Sequence, residues 1–156
     1  LVLNTAEDAV YVLTEFSGEL LHFARDRATG TLTLRDAASA VDPRAGLSHS
    51  EFGVDPRAHH LIWGADVHVA DGGRRLWCSE RTASTLGAVA VAPDGSVRAP
   101  ERFIVTETQP RGFAISDDQR FLIAAGELLT TLSLYAIDGD DLRLLQRIES
   151  GRGANW

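Results

Sequence analysis

Tyr11-Val-Leu-Thr-Glu15 is the stretch on which the fold turns, because it returns as Trp77-Cys-Ser-Glu-Arg81 and again as Ile123-Ala-Ala-Gly-Glu127. The copies stand 66 and 46 residues apart. Self-similarity at a period of about 40 to 50 residues marks a chain built from repeated supersecondary units. The second interval has that length, and the first exceeds it by 20 residues. The excess falls in Val41–His60, which carries Pro43, Gly46, Gly53 and Pro56 and sustains no alternation, so it is expected to be an inserted loop.

Around each copy, short runs of Val, Ile, Leu, Tyr and Phe alternate imperfectly with polar residues and are cut by turn signals. The first copy predicts strands at Leu1–Asn4, Val10–Thr14, Glu19–Ala24 and Leu32–Ala37. The second predicts Asp66–Ala70, Arg75–Ser79, Leu86–Val91 and Glu101–Val105, and the third Phe113–Ser116, Phe121–Ala125, Thr131–Ile137 and Leu142–Ile148. Asp71-Gly72-Gly73, Pro93-Asp94-Gly95 and Asp138-Gly139 punctuate them as hairpin turns. Helical periodicity is weak throughout.

Four antiparallel strands per repeat describe an all-β chain of about three β-propeller blades, with repeats at about 1–64, 65–110 and 111–156. A closed ring takes roughly four to eight blades, so three are expected to be a piece of one, with open edges available for self-association. The chain opens at Leu1 and contains no Met, so upstream sequence is expected. Gly153-Ala154-Asn155-Trp156 falls where the inner strand of a further blade would start. A β-sandwich of a dozen strands is the competing architecture, and the regular repeat argues against it.

Composition narrows the function. The 156 residues, 44% apolar, suffice for a real core. With 15 Lys and Arg against 22 Asp and Glu the formal charge is −7, which disfavours nucleic acid and anionic membranes as partners. A local Arg cluster can still attract a small anion, since the field in a cleft depends on nearby charges. Cys78 is the sole cysteine, which allows no intrachain disulfide and no cysteine-based zinc site, and fits a reducing compartment. No apolar run reaches the roughly 18 residues of a membrane span and no signal segment opens the chain, so cytoplasm is the default location.

In a blade, alternate connections fall on opposite faces of the disc. If the Asp-Gly turns share one face, the other receives the ends of second strands, with Glu15, Arg81 and Glu127. It also receives the starts of first strands, with Ala65-Asp66 and Pro110-Arg111-Gly112, while His68 lies slightly deeper. A carboxylate, guanidinium groups and an imidazole at an axial mouth suit an anionic substrate, because Arg grips carboxylate or phosphate through two parallel hydrogen bonds. Plainer readings stand beside this one. Glu15 and Arg81 can form a salt bridge between blades, His68 a strand hydrogen bond, Arg111 a strand cap, and Asp66 an acceptor for backbone donors.

The remaining signals are weaker. His59 and His60 are adjacent and point to opposite sides of an extended segment, so with His49 they read as solvated loop and not as a metal site. Cys78 on a second strand reads as a small buried thiol. Ser79-Glu80 and Ser48-His49-Ser50 form no serine triad, and Gly72-Gly73 lacks a phosphate-loop setting. Trp63, Trp77 and Trp156 read as packing between blades.

The run from Ala65 to Ser84, Ala-Asp-Val-His-Val-Ala-Asp-Gly-Gly-Arg-Arg-Leu-Trp-Cys-Ser-Glu-Arg-Thr-Ala-Ser, resembles the signature blade of the propeller-type 6-phosphogluconolactonases. Thr106–Phe113 and Phe121–Gly126 resemble the next blade, and Tyr11–Glu15 resembles the family's Tyr-Val-Leu-Asn-Glu motif with Thr14 in place of Asn. The resemblance covers nearly the whole chain and the C-terminal half of the family's seven-bladed domain. It implies an axial site in which Glu15 and Arg81 match proposed site residues, with others lying before Leu1.

The implied reaction is hydrolysis of 6-phosphogluconolactone to 6-phosphogluconate in the pentose phosphate pathway, with no cofactor and no metal. Arg81, helped by Arg111 as a substrate-binding residue, would hold the phosphate and the developing oxyanion, and Glu15 or His68 would be the general base. A muconate-type cycloisomerase using the same Arg and Glu, and a non-catalytic propeller that binds ligands on its face, are the alternatives. An isolated three-blade chain is expected to be inactive.

Overall fold

A computed structural model describes residues 1–153; Ala154, Asn155 and Trp156, read above as the start of a further strand and a packing tryptophan, lie outside the described residues. The described chain forms three antiparallel sheets. The first holds β1 (Val2–Leu3), β2 (Ala9–Leu13), β3 (Glu19–Arg25) and β4 (Leu32–Ser39) in sequence order. The second holds β5 (Gly64–Ala70), β6 (Arg75–Glu80), β7 (Thr85–Val91), β8 (Val97–Arg98) and β9 (Phe103–Val105). The third holds β10 (Phe113–Ile115), β11 (Phe121–Ala125), β12 (Thr131–Asp138) and β13 (Asp141–Glu149). Among the described residues, helix is limited to single 3-10 turns at Pro43–Ala45 and Asp71–Gly73. The first strands β1, β5 and β10 lie side by side, as inner strands around a propeller axis do.

The second sheet departs from the reading of one strand at Glu101–Val105. Its outer edge is made of two pieces: β8 pairs the end of β7 through Ala90 and Val91, and β9 pairs its start through Thr85, Leu86 and Gly87. Pro100 lies between the pieces and explains the break, since it has no N–H to give to the ladder. At the margin of the interruption Gly87 pairs Phe103, and a Cβ there would meet the Phe103 ring at 3.0 Å and Pro100 Cγ at 3.2 Å. Val41–His60 is mostly loop, as its prolines and glycines require, with one parallel bridge joining Ser48 to Leu61.

Strand alternation explains how the sheets stack. Tyr11, Trp77 and Ile123 are the third residues of β2, β6 and β11, so they point toward the same side of their sheets. Tyr11 packs in a cluster with Val67, Leu76, Cys78 and Val89 of the second sheet. Trp77 packs with Phe113, Leu122, Ala124 and Tyr135 of the third. No described residue covers the corresponding face of the third sheet, and Ile123 is 45% exposed where Trp77 is fully buried. On the first sheet, Leu3 and Leu34 form the matching open face. Cys78 sits inside the first cluster, and burial pushes its thiol far above the ordinary range, which suits packing and not nucleophilic attack.

The paired positions make a direct comparison. Trp77→Ala is expected to cost about 3–5 kcal/mol in urea unfolding of this chain, because it empties a closed seam. Ile123→Ala is expected to cost under about 1 kcal/mol, measured at a dilution where light scattering gives a monomer. Equal costs at the two positions would contradict this stacking.

Candidate functional site

The register separates the two faces of the disc. Gly64 pairs Glu80 at one end of the β5–β6 hairpin and Ala70 pairs Arg75 at the other, so the Asp71–Gly73 turn and the Asp94-Gly95 turn share the end away from Glu80. That turn face holds the larger of the two cavities described, a cleft of about 990 Å³ lined by Tyr11, His22, Arg74 and Asp94 among others. Apart from the exposed Arg35, its charges are locally committed. His22 Nδ1 lies 2.9 Å from Asp36 Oδ2, Asp36 Oδ1 accepts from Val97 N at 2.9 Å, and Arg74 pairs with Asp71 at 2.5 Å. This cleft is therefore a polar seam between the first two sheets, and the ionisable residues singled out above lie at the opposite mouth.

There, the positions four residues after Tyr11, Trp77 and Ile123, just past the ends of β2, β6 and β11, bring Glu15, Arg81 and Glu127 together: negative, positive, negative. Arg81 Nη2 donates to Glu127 Oε2 at 2.5 Å across the seam between the second and third sheets. The Arg81 side chain is only 7% exposed. Gln109 Nε2 donates to the same Glu127 oxygen at 2.6 Å, and Arg111 Nη1 reaches Glu127 Oε1 at 3.4 Å. Arg81 thus pairs with Glu127 and not with Glu15, which corrects the direct Glu15–Arg81 salt bridge raised as the plainer reading. Burial is the largest influence on the Glu127 carboxyl and raises it. The Gln109 amide, Arg81 and Arg111 together outweigh burial and hold it below the usual glutamate range.

Glu15 joins the network through Trp63. The indole Nε1 donates to Glu15 Oε1 at 2.8 Å, and the Arg81 guanidinium carbon lies 3.4 Å from the indole ring centre. The backbone leaves Trp63 little freedom. Its N–H donates to Glu80 Oε1 at 2.7 Å, its carbonyl accepts from Arg81 N at 2.9 Å, and the next N–H, Gly64, donates to Glu15 O at 2.8 Å. Gly64 must be glycine for this approach, since a Cβ would fall 2.5 Å from the Thr14 carbonyl oxygen. Glu80 is buried and also accepts from Thr82 N at 3.1 Å and Ala83 N at 2.6 Å. Burial raises its carboxyl above the usual range, and the three backbone donors offset only part of that effect.

His68 stands apart. Its Nε2 lies 2.9 Å from Asp66 Oδ2 and its ring meets Phe113 edge-on at 4.6 Å. It pairs Trp77, three residues down β6 from Glu80, which is a depth of about 10 Å at strand rise. No hydrogen bond joins it to Glu15, Arg81 or Arg111 among the described residues. Asp66 also accepts from Val67 N at 2.9 Å and Phe113 N at 3.4 Å, so it ties the inner strands of neighbouring sheets. Burial is the strongest influence on Asp66 and raises its carboxyl, but His68 and the two backbone donors bring it below the ordinary range.

Sequence reasoning brought Glu15, Arg81 and Arg111 to one face and left out Trp63, Glu80 and Gln109. The repeat offered a signal for Glu127, which occupies the position equivalent to Glu15 and Arg81. For Trp63 there was none, since a tryptophan just before a strand reads first as packing. No group of three or more His, Cys, Asp or Glu among the described residues is arranged to hold a metal ion. No helix among them is long and apolar enough to cross a membrane.

Comparison with known proteins agrees with this architecture. The family model described as lactonase, 7-bladed beta-propeller, matches residues 1–153. Over 96 residues the chain is 43% identical to a 6-phosphogluconolactonase of Enterobacter sp. (strain 638) and 41% identical to that of Klebsiella pneumoniae (strain 342). Each match covers 60% of this chain and 29% of the relative, so the chain matches under a third of the relatives' length. Among solved structures, a Lactobacillus plantarum protein superposes with a TM-score of 0.79 at 21% identity, covering 97% of this chain and 41% of that one. The periplasmic gluconolactonase of Pseudomonas aeruginosa gives 0.75 at 23% identity, covering 99% and 40%. With the family match running through all three sheets and every residue of the charged mouth, the chain belongs to the seven-bladed β-propeller lactonase family.

Proposed function

We propose that the protein is a lactone hydrolase acting on an anionic sugar lactone of the 6-phosphogluconolactone kind. The observation that carries this reading is the relatedness at 43% identity to a 6-phosphogluconolactonase, together with a mouth that combines an exposed carboxylate with two guanidinium groups. In the reaction, water adds to the lactone carbonyl and the ring C–O bond breaks. The water proton passes through a base to the departing ring oxygen, leaving a hydroxy acid. Glu15, exposed and already oriented by one N–H, is the base this reading prefers over His68, whose hydrogen bond goes to Asp66. Arg111, whose side chain is 36% exposed, is the cation a substrate phosphate meets first. Arg81, shielded by Trp63 and Glu127, supplies positive potential behind the developing oxyanion in a weakly screened setting. The chemistry asks for no cofactor. A cytoplasmic setting goes with the reading, which the lone buried thiol fits.

The full-length gene product is expected to hydrolyse 6-phosphogluconolactone above the spontaneous rate. Arg81→Ala is expected to lower kcat/KM by more than about tenfold, as loss of a charged contact implies. Unchanged kinetics in a folded variant would remove Arg81 from the site. A dicarboxylate that competes better than a phosphosugar would redirect the assignment to a cycloisomerase, and binding without turnover to a non-catalytic platform. The 156-residue chain alone is expected to show little turnover and to self-associate through the faces of Leu3 and Leu34 and of Ile123 and Ile148. Full activity in a monomer verified by light scattering would contradict that.

Acid dependence follows from Glu127. Its carboxyl is held low in the folded state, so its contribution to stability is complete above the unfolded value, about 4.3, and is lost as pH falls through the lower folded value. Glu127→Gln is therefore expected to cost about 1–2 kcal/mol in urea unfolding at pH 7, and the gap to the wild type should narrow below pH of about 4. A gap independent of pH would show that the Arg81–Glu127 pair contributes no net charge stabilisation.

A further inference from the structure

We propose that Trp63 is a positioning residue that sets two groups of the site at once, the Glu15 carboxylate through its indole N–H and the Arg81 guanidinium through its ring face. The proposal rests on the lactone reading for its catalytic consequence, and on geometry for the rest. Glu15 and Arg81 lie on different sheets and make no direct pair. One rigid side chain spans them, with Nε1 2.8 Å from Glu15 Oε1 and its ring centre 3.4 Å from Arg81 Cζ. Glu15 is exposed, and the indole is the hydrogen-bond donor that reaches its carboxylate among the described residues. An exposed glutamate without such a donor samples several rotamers, and fixing it beforehand removes that loss from the reaction.

The guanidinium is held differently. A ring face stabilises a cation without consuming any of its N–H groups, so Trp63 restrains Arg81 while leaving its donors for anions. One donor goes to Glu127, whereas Arg81 Nε is buried and has no hydrogen-bond partner. The indole itself is fixed from below. Its backbone N–H ends on the buried carboxylate of Glu80 at 2.7 Å, and its carbonyl receives Arg81 N at 2.9 Å. Glu80, next to Arg81 in sequence, therefore anchors the residue on which Arg81 stacks. The two functions of the indole are separable by substitution: phenylalanine keeps a ring face and loses the N–H, and leucine loses both.

The test uses the full-length gene product with 6-phosphogluconolactone. Trp63→Phe is expected to lower kcat by about tenfold with KM within about twofold, since the lost bond is to the carboxylate that acts in turnover. Trp63→Leu is expected to raise KM several-fold in addition, as Arg81 loses its ring face. In a Glu15→Ala background, Trp63→Phe should leave the residual kcat unchanged, a coupling that a purely structural role does not produce. Additive losses in that background, or a Trp63→Phe variant with wild-type kcat, would overturn the proposal.

A second measurement needs neither turnover nor a stable Trp63 variant. The indole N–H resonance of Trp63 is expected to shift in Glu15→Gln, where a neutral amide oxygen replaces the carboxylate that accepts from it. A resonance indifferent to Glu15→Gln would refute the contact. A wild-type protein with no activity above the spontaneous rate would overturn the lactone reading and the catalytic half of this proposal, and the resonance would decide the positional half.

Discussion

The arrangement of the charged mouth depends on one enclosed cation. Arg81 has the indole of Trp63 against its guanidinium and the Glu127 carboxylate at 2.5 Å. A guanidinium taken this far from water is costly unless it is paired, and removal of its partner leaves an uncompensated charge. Each partner comes from a different part of the chain: Trp63 from the end of the long loop, Glu127 from the turn after β11. The cation therefore closes on itself only when the second and third sheets are stacked and the loop has returned to the mouth. Apolar packing around Trp77 brings the sheets together, and the ion pair fixes how their ends meet.

The same logic recurs with other residues along the seams. Asp66 joins β5 to the first residue of β10, and Asp36 joins β4 to β8 through Val97 N. Glu107 is fully buried, accepts from Thr131 Oγ1 at 2.6 Å and Arg147 Nε at 2.9 Å, and also takes the Ser133 hydroxyl. Each of these carboxylates has its lone pairs used by donors from more than one element, which is the condition under which a buried charge is tolerated. Glu15 differs in that it is exposed and receives a single donor, which leaves acceptor capacity for water or substrate. That difference in satisfaction separates the residue read as reactive from those that hold sheets together.

How much of this was legible depended on range. The twelve strands were legible because each is encoded by local alternation and bounded by Gly, Asp or Pro, and the break between β8 and β9 could have been read from Pro100. Convergence of Glu15, Arg81 and Arg111 was legible because a repeat places equivalent residues at equivalent heights. The pairing within the mouth was not. Whether Arg81 chooses Glu15 or Glu127 depends on an indole 48 residues from Glu15, delivered by a loop with no periodic pattern. His68 was adjacent to the site in sequence terms, yet the register shift between Gly64 and Val67 and its bond to Asp66 give it other company.

The two faces of the disc offer rival places for a ligand: the mouth around Arg81 and Arg111, and the wider cleft around His22 and Arg74 at the turns. A crystal structure of the full-length gene product with 6-phosphogluconate bound decides between them. The account predicts the phosphate against Arg111, with the sugar acid's carboxyl group beside Glu15 at the open side of the mouth. A product molecule seated in the turn-face cleft, with the mouth unliganded, would contradict it.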